Sequence, residues 1–151
     1  MGRVQLALNV EDIDDAIAFY TRLFATEPAK VRPGYANFAV ADPPLKLVLI
    51  ESPGQGGTLN HLGVEVETTD EVTAAGARLA GEGLATATEE QVSCCYAVQD
   101  KVWVDDPSGA PWEIYTVLAD TETPAPGLRT VEPGVSSMCC GSAATGGVCC
   151  G

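Results

Sequence analysis

Leu59-Asn-His-Leu-Gly-Val-Glu-Val-Glu67 carries His61, the single histidine of the 151-residue chain, at the start of an alternating apolar run. Leu62, Val64 and Val66 fall on one face at period two, the pattern of a half-buried strand, and His61, Gly63 and Glu65 fall on the other. A lone strand histidine is most often a hydrogen-bonded structural residue. Here, however, the same stretch occurs twice.

Laying Gln5 over His61 brings Arg3–Asp12 onto Leu59–Thr68, with Leu6 on Leu62, Leu8 on Val64 and Val10 on Val66. The agreement continues through Asp15 on Glu71, Ala18 on Ala74 and Leu23 on Leu79. Two copies are too few for a solenoid. They suit two strand–helix–strands modules, one over residues 3–51 and one over 59–118, paired face to face. The first closes on the alternating Pro44-Leu-Lys-Leu-Val-Leu-Ile-Glu51 and the second on Pro111-Trp-Glu-Ile-Tyr-Thr-Val117. Aligning the two prolines sets Lys46 opposite Glu113. The repeat thus has four equivalent inward positions, Gln5, Lys46, His61 and Glu113.

Composition narrows the class. A chain of this length suits one domain, or one pseudo-symmetric pair of half-domains sharing a core. Apolar residues make up 46% and the formal net charge is −13. That charge argues against nucleic-acid binding, because a polyphosphate repels such a surface. No stretch approaches the length of a transmembrane span. Val4–Val10 is too short and too interrupted for a secretory signal, and Leu6 stands where a myristoylation site needs Ser or Thr. A cytoplasmic protein that engages neither membrane nor nucleic acid is expected.

Within the first module, Val4–Val10 predicts a strand. Asp12 and Asp15 mark a helix start, and Ile13, Ile17, Tyr20 and Phe24 supply one apolar helical face. Pro28 and Pro33-Gly34 break the chain before strands over Gly34–Val40 and Leu45–Glu51. Ser52–Gly57 reads as the linker between modules. In the second module, Thr68 and Glu71 form a Thr-x-x-Glu capping box, and Val72, Ala75 and Leu79 give a weaker stripe. Glu89–Ser93 has no pattern. Val98–Val104 alternates, and Asp105-Asp-Pro-Ser-Gly109 is a turn. From Ala119 to Gly151 the periodicity stops in favour of Thr, Pro, Gly, Ala and Ser, so a disordered tail is expected.

The six cysteines all lie in adjacent pairs, Cys94-Cys95, Cys139-Cys140 and Cys149-Cys150. Neighbouring cysteines close no useful loop, so this is not a disulfide framework. The arrangement points to soft-metal or metalloid chemistry. Of the four inward positions, one imidazole (His61), one carboxylate (Glu113) and one amide (Gln5) can ligate a hard-to-borderline divalent ion, and a charged Lys46 cannot readily do so. A structural zinc site would use four ligands, usually with thiolates. Three ligands with open positions favour a catalytic ion. Taken singly, Gln5 and Glu113 would read as surface polar groups. Their common place in the repeat favours the metal.

The repeat and the closing Asp106-Pro-Ser-Gly-Ala-Pro-Trp-Glu-Ile-Tyr115 resemble the vicinal oxygen chelate superfamily of glyoxalases, extradiol dioxygenases and fosfomycin or bleomycin resistance proteins. The resemblance spans about residues 3–118. Lys30-Val-Arg-Pro-Gly-Tyr-Ala-Asn-Phe38, Pro43–Glu51 and Cys94-Cys-Tyr-Ala-Val-Gln-Asp-Lys-Val-Trp-Val104 resemble one branch of it. That branch holds the organoarsenical carbon–arsenic lyases (ArsI) and the cadmium-induced proteins (CadI). The resemblance implies an α+β fold of two βαβββ modules forming a metal-holding cup. It also implies Fe(II)- and O2-dependent cleavage of the C–As bond of trivalent organoarsenicals such as methylarsenite or reduced aromatic arsenicals, with release of arsenite. By position it implies Gln5, His61 and Glu113 as iron ligands and Cys94 and Cys95 as the arsenic-binding pair.

The chemistry is compatible with that implication. A monosubstituted trivalent arsenical has one carbon bond and two exchangeable valences, which two thiolates fill. Adjacent strand residues face opposite ways, so Cys94 and Cys95 are expected on a bend where both sulfurs converge. Tyr96, Lys101 and Trp103 are expected either to line the pocket or to be ordinary strand residues. Cys139, Cys140, Cys149 and Cys150 are candidate auxiliary thiols for arsenite hand-off to another protein, or a dispensable tail. Two alternatives stay open: a non-enzymatic thiolate protein that binds Cd(II) or arsenite, and an extradiol-type ring-cleaving dioxygenase, which would leave Cys94-Cys95 without a role.

Overall fold

The computed structural model describes residues 2–94 and 96–122. The chain divides into two compact units, Arg3–Leu62 and the residues from Gly63 onward, which Gly2 joins. The first unit contains β1 (Arg3–Val10), α1 (Ile13–Phe24), β2 (Lys30–Arg32), β3 (Tyr35–Val40) and β4 (Leu45–Glu51). Strand β5 (Thr58–Glu65) begins in the first unit and ends in the second, followed by α2 (Thr69–Gly81), β6 (Ala87–Cys94), β7 (Ala97–Asp105) and β8 (Pro111–Asp120). The order βαβββ occurs twice and the class is α+β, as the family resemblance implies.

In the first unit the strand order is β2-β3-β4-β1-β5. β1 and β4 run parallel, with Gln5 opposite Lys46 and Leu8 opposite Leu49. A parallel pair needs a long crossover, which α1, β2 and β3 supply. Alternation sorts β1 into two faces. Leu6, Leu8 and Val10 join Ile13, Ile17, Tyr20 and Phe24 of α1 against Ala36, Phe38, Val40, Leu47 and Leu49. Gln5, Ala7 and Asn9 lie on the other face and are also buried. The helix starts where Asp12 Oδ1 accepts the Asp15 backbone N–H at 2.9 Å, satisfying one of the orphan donors of a helix N-terminus.

In the second unit β7 pairs antiparallel with β6 and with β8. The register forms rows across the three strands: Glu89–Lys101–Tyr115, Ala87–Trp103–Glu113 and Val92–Gln99–Val117. The opposite face of β7 carries Val102, whose side chain approaches Gly76 of α2, and α2 buries Val72 and Leu79. The capping box forms: Thr68 Oγ1 accepts from Glu71 N while the Glu71 carboxylate accepts from Thr68 N.

Three elements depart from the sequence expectation. β2 has three residues, too few to display a period. Glu89–Ser93, unpatterned in sequence, lies within β6; an irregularity between Glu89 and Val92 breaks the alternation that would have revealed a strand. β8 continues past Val117 to Asp120, and its register with β7 shifts between Val98 and Gln99. The auxiliary cysteines, Cys139, Cys140, Cys149 and Cys150, lie outside the described residues, as does Cys95.

Candidate metal and arsenical site

Gln5 and His61 come together. Both side chains are fully buried, and Gln5 Nε2 lies 3.0 Å from His61 Nε2. On the other side of the ring, His61 Nδ1 lies 2.7 Å from Asn60 Oδ1. Asn60 Nδ2 donates to Asn9 Oδ1 at 3.0 Å, and Asn9 Nδ2 donates to Thr58 Oγ1 at 2.9 Å. Lys46 stands opposite Gln5 on β4 and is largely buried.

Glu113 belongs to the second unit and is also buried. Its Oε2 receives a hydrogen bond and an ion pair from Lys101 Nζ at 2.8 Å. The Lys101 ammonium sits 5.2 Å from the centre of the Trp103 ring and 6.0 Å from that of Tyr115. The electron-rich ring faces assist a cation removed from water. Trp103 in turn donates Nε1–H to Glu89 Oε2 at 3.2 Å. Lys101 and Trp103, singled out from sequence as pocket-lining candidates, therefore form one buried polar assembly with Glu113.

Cys94 is buried and ends β6 directly opposite Ala97, where β7 begins. Tyr96, which precedes Ala97, adopts a left-handed φ of 69°. Tyr96 is buried, and its carbonyl accepts Thr121 N–H at 2.8 Å.

Sequence reasoning missed Asn9, Asn60, Gln99 and Glu89. Gln99 is fully buried, and among the described residues no group partners either atom of its amide. Amides and a carboxylate in alternating strands look like solvent-facing residues, and only the cross-strand neighbours make them interior. Among the described residues, no three His, Cys, Asp or Glu side chains cluster as a metal cage. The donors that do converge, in the first unit, are an imidazole and a carboxamide. An imidazole nitrogen and an amide oxygen are donors of the kind a borderline divalent ion takes, and so is the carboxylate that Glu113 supplies in the second unit. On donor chemistry the residues fit.

Residues 2–114 match the Glyoxalase/Bleomycin resistance protein/Dioxygenase superfamily. The chain belongs to this superfamily. Among superfamily relatives, it is 62% identical over 142 residues to the cadmium-induced protein CadI of Mycobacterium bovis, covering 93% of each chain. It is 61% identical over 124 residues to a trivalent organoarsenical cleaving enzyme of Thermomonospora curvata, covering 82% of each. An extradiol ring-cleaving dioxygenase from B. fuscum matches 80% of this chain and 34% of its own length, at TM-score 0.58 and 20% identity. That last likeness shows the fold alone. No described helix is long and apolar enough to cross a membrane.

Proposed function

We propose that this protein is an Fe(II)- and O2-dependent lyase that cleaves the C–As bond of trivalent organoarsenicals and releases arsenite. Gln5, His61 and Glu113 hold the metal, and Cys94 and Cys95 hold the arsenic. The observation that carries this reading is the buried contact of Gln5 Nε2 with His61 Nε2, which brings together two side chains at equivalent positions of the repeat. The identity to a trivalent organoarsenical cleaving enzyme supports the substrate class. The protein acts as a cytoplasmic enzyme on a small molecule.

The side chains have separable tasks. The thiols of Cys94 and Cys95 replace the two hydroxyl groups of the trivalent arsenical, releasing two waters, and leave its carbon substituent free to react. Fe(II), when bound, supplies the activation of O2. Lys101 neutralises and orients Glu113, so the carboxylate keeps one direction while buried. Trp103 and Tyr115 flank the ammonium and keep water from it. Because most of the assembly is buried, charges and dipoles act at lower dielectric than in water.

The test is product formation. Fe(II)-reconstituted protein incubated in air with methylarsenite should yield arsenite, and His61→Ala should yield none. Recovery of unchanged methylarsenite from the wild-type protein would contradict the proposal.

A second reading has its own support in the 62% identity to a cadmium-induced protein. In it the cysteines bind Cd(II) or arsenite and no bond is broken. Tight Cd(II) or arsenite binding that is indifferent to His61→Ala, together with absent turnover, would decide for it.

A further inference from the structure

The hydrogen bonds behind His61 run in one direction. Thr58 Oγ1–H donates to the carbonyl of Gln55 at 2.7 Å. A hydroxyl has a single proton, so toward Asn9 the Thr58 oxygen acts as acceptor. Asn9 therefore turns its NH2 group to Thr58 and its carbonyl oxygen to Asn60. Asn60 spends an N–H on that oxygen, which leaves Asn60 Oδ1 facing His61 Nδ1 at 2.7 Å. A carbonyl oxygen only accepts, so Nδ1 carries the ring proton. In the neutral imidazole, Nε2 then bears the lone pair, and the Gln5 amide N–H points at it from 3.0 Å. Each amide orientation follows from the step before it, back to one backbone carbonyl.

That carbonyl is itself held. Gln55 O also accepts Thr58 N–H at 3.2 Å, and Gln55 N donates to Ser52 O at 2.9 Å. The Glu11 carboxylate accepts the backbone N–H groups of Gly54 at 2.8 Å and Gly56 at 3.1 Å. Gly57 N donates to the Asn9 carbonyl at 3.0 Å. The turn after β4 is thus stitched to the end of β1, and the polarity it sets is passed through three side chains to the imidazole. All of these residues belong to the unit Arg3–Leu62.

We propose that Thr58, Asn9 and Asn60 are positioning residues that lock His61 in the Nδ1–H tautomer and so present Nε2 as the coordinating atom. None of the three is among the proposed metal ligands. Without them the neutral ring distributes its proton between the two nitrogens, and the Nε2–H form cannot ligate through that atom. Partners of this kind behind a ligating histidine typically change metal affinity 10–100-fold when removed. The tautomer assignment stands on hydrogen-bond direction alone. The consequence for metal affinity rests on the proposed function.

The test uses the full chain, in which His61 is the only histidine. Long-range 1H–15N spectra of the metal-free, 15N-labelled protein, taken where the imidazole is neutral, give one pair of ring nitrogens. We expect a protonated, pyrrole-type Nδ1 and a pyridine-type Nε2. An Nε2–H ring, or a fast average of both forms, overturns the proposal. Asn60→Leu should yield a tautomer mixture and weaken Co(II) binding, followed by its visible spectrum, on the order of 10–100-fold. Asn60→Asp keeps an acceptor and should keep the Nδ1–H form. Should Asn60→Leu fail to fold, Thr58→Val against Thr58→Ser asks the same question from the far end of the chain of bonds. Unchanged tautomers in the folded Leu or Val variants overturn the proposal. An Nδ1–H ring in a protein that binds no Co(II) or Fe(II) would leave the tautomer lock standing and remove the metal reading.

Discussion

Lys101 Nζ lies 2.8 Å from Glu113 Oε2, with both side chains removed from solvent. A buried ion pair adds little to stability compared with a well-packed apolar pair, but removing one partner strands the other charge. Lys101→Met should therefore destabilise the metal-free protein by about 3–5 kcal/mol in urea unfolding. If Glu113 ligates the metal, a divalent ion supplies the missing positive charge. Mn(II) should then raise the melting temperature of Lys101→Met more than that of the wild type. Equal shifts would remove Glu113 from the ligand set.

Gln99 offers the opposite case. Its fully buried amide has no partner for either polar atom among the described residues. Such a group carries the desolvation cost without the compensating bonds, so Gln99→Leu should raise stability by about 1 kcal/mol. Chemical unfolding of the metal-free protein measures it. A loss of similar size would mean that the amide is satisfied in solution.

Gly76 lies inside α2, and a methyl group there would meet Val102 Cγ2 at 3.6 Å, an ordinary contact. Glycine in a helix interior costs about 1 kcal/mol relative to alanine. Gly76→Ala should recover roughly that amount and leave arsenical turnover unchanged, read from a thermal melt and a product assay on the same sample.

These examples also mark where a single sequence is informative. Strands such as Leu45–Glu51 and Ala97–Asp105, and the capped helices Ile13–Phe24 and Thr69–Gly81, follow from alternation, helical period and the Asp12 and Thr68 caps. Ala87–Cys94 escaped because the irregularity between Glu89 and Val92 throws its alternation out of phase. Lys30–Arg32 escaped because three residues cannot show a period. For the site, the internal repeat picked out Gln5 and His61, and these meet. Asn9 and Asn60 left no trace, since their role depends on partners brought in by β1 and the turn after β4. Lys101 was legible only as a pocket-lining candidate, because its bond to Glu113 is set by the register of β7 with β8.

Cys94 ends its strand opposite Ala97. If it and Cys95 hold the arsenic, Cys94→Ser should abolish retention of methylarsenite on a desalting column while leaving Co(II) binding at His61 intact. Retention equal to wild type would return the cysteine pair to a structural role and favour ring-cleavage chemistry for the metal.

The most direct measurement is a stepped reaction. Fe(II)-loaded protein is mixed anaerobically with methylarsenite, arsenic is speciated, and air is then admitted and speciation repeated. Bound methylarsenite is expected before oxygen and arsenite after it, with no arsenite when iron is omitted. Methylarsenite that stays intact after oxygen, or arsenite that forms equally without iron, would contradict it.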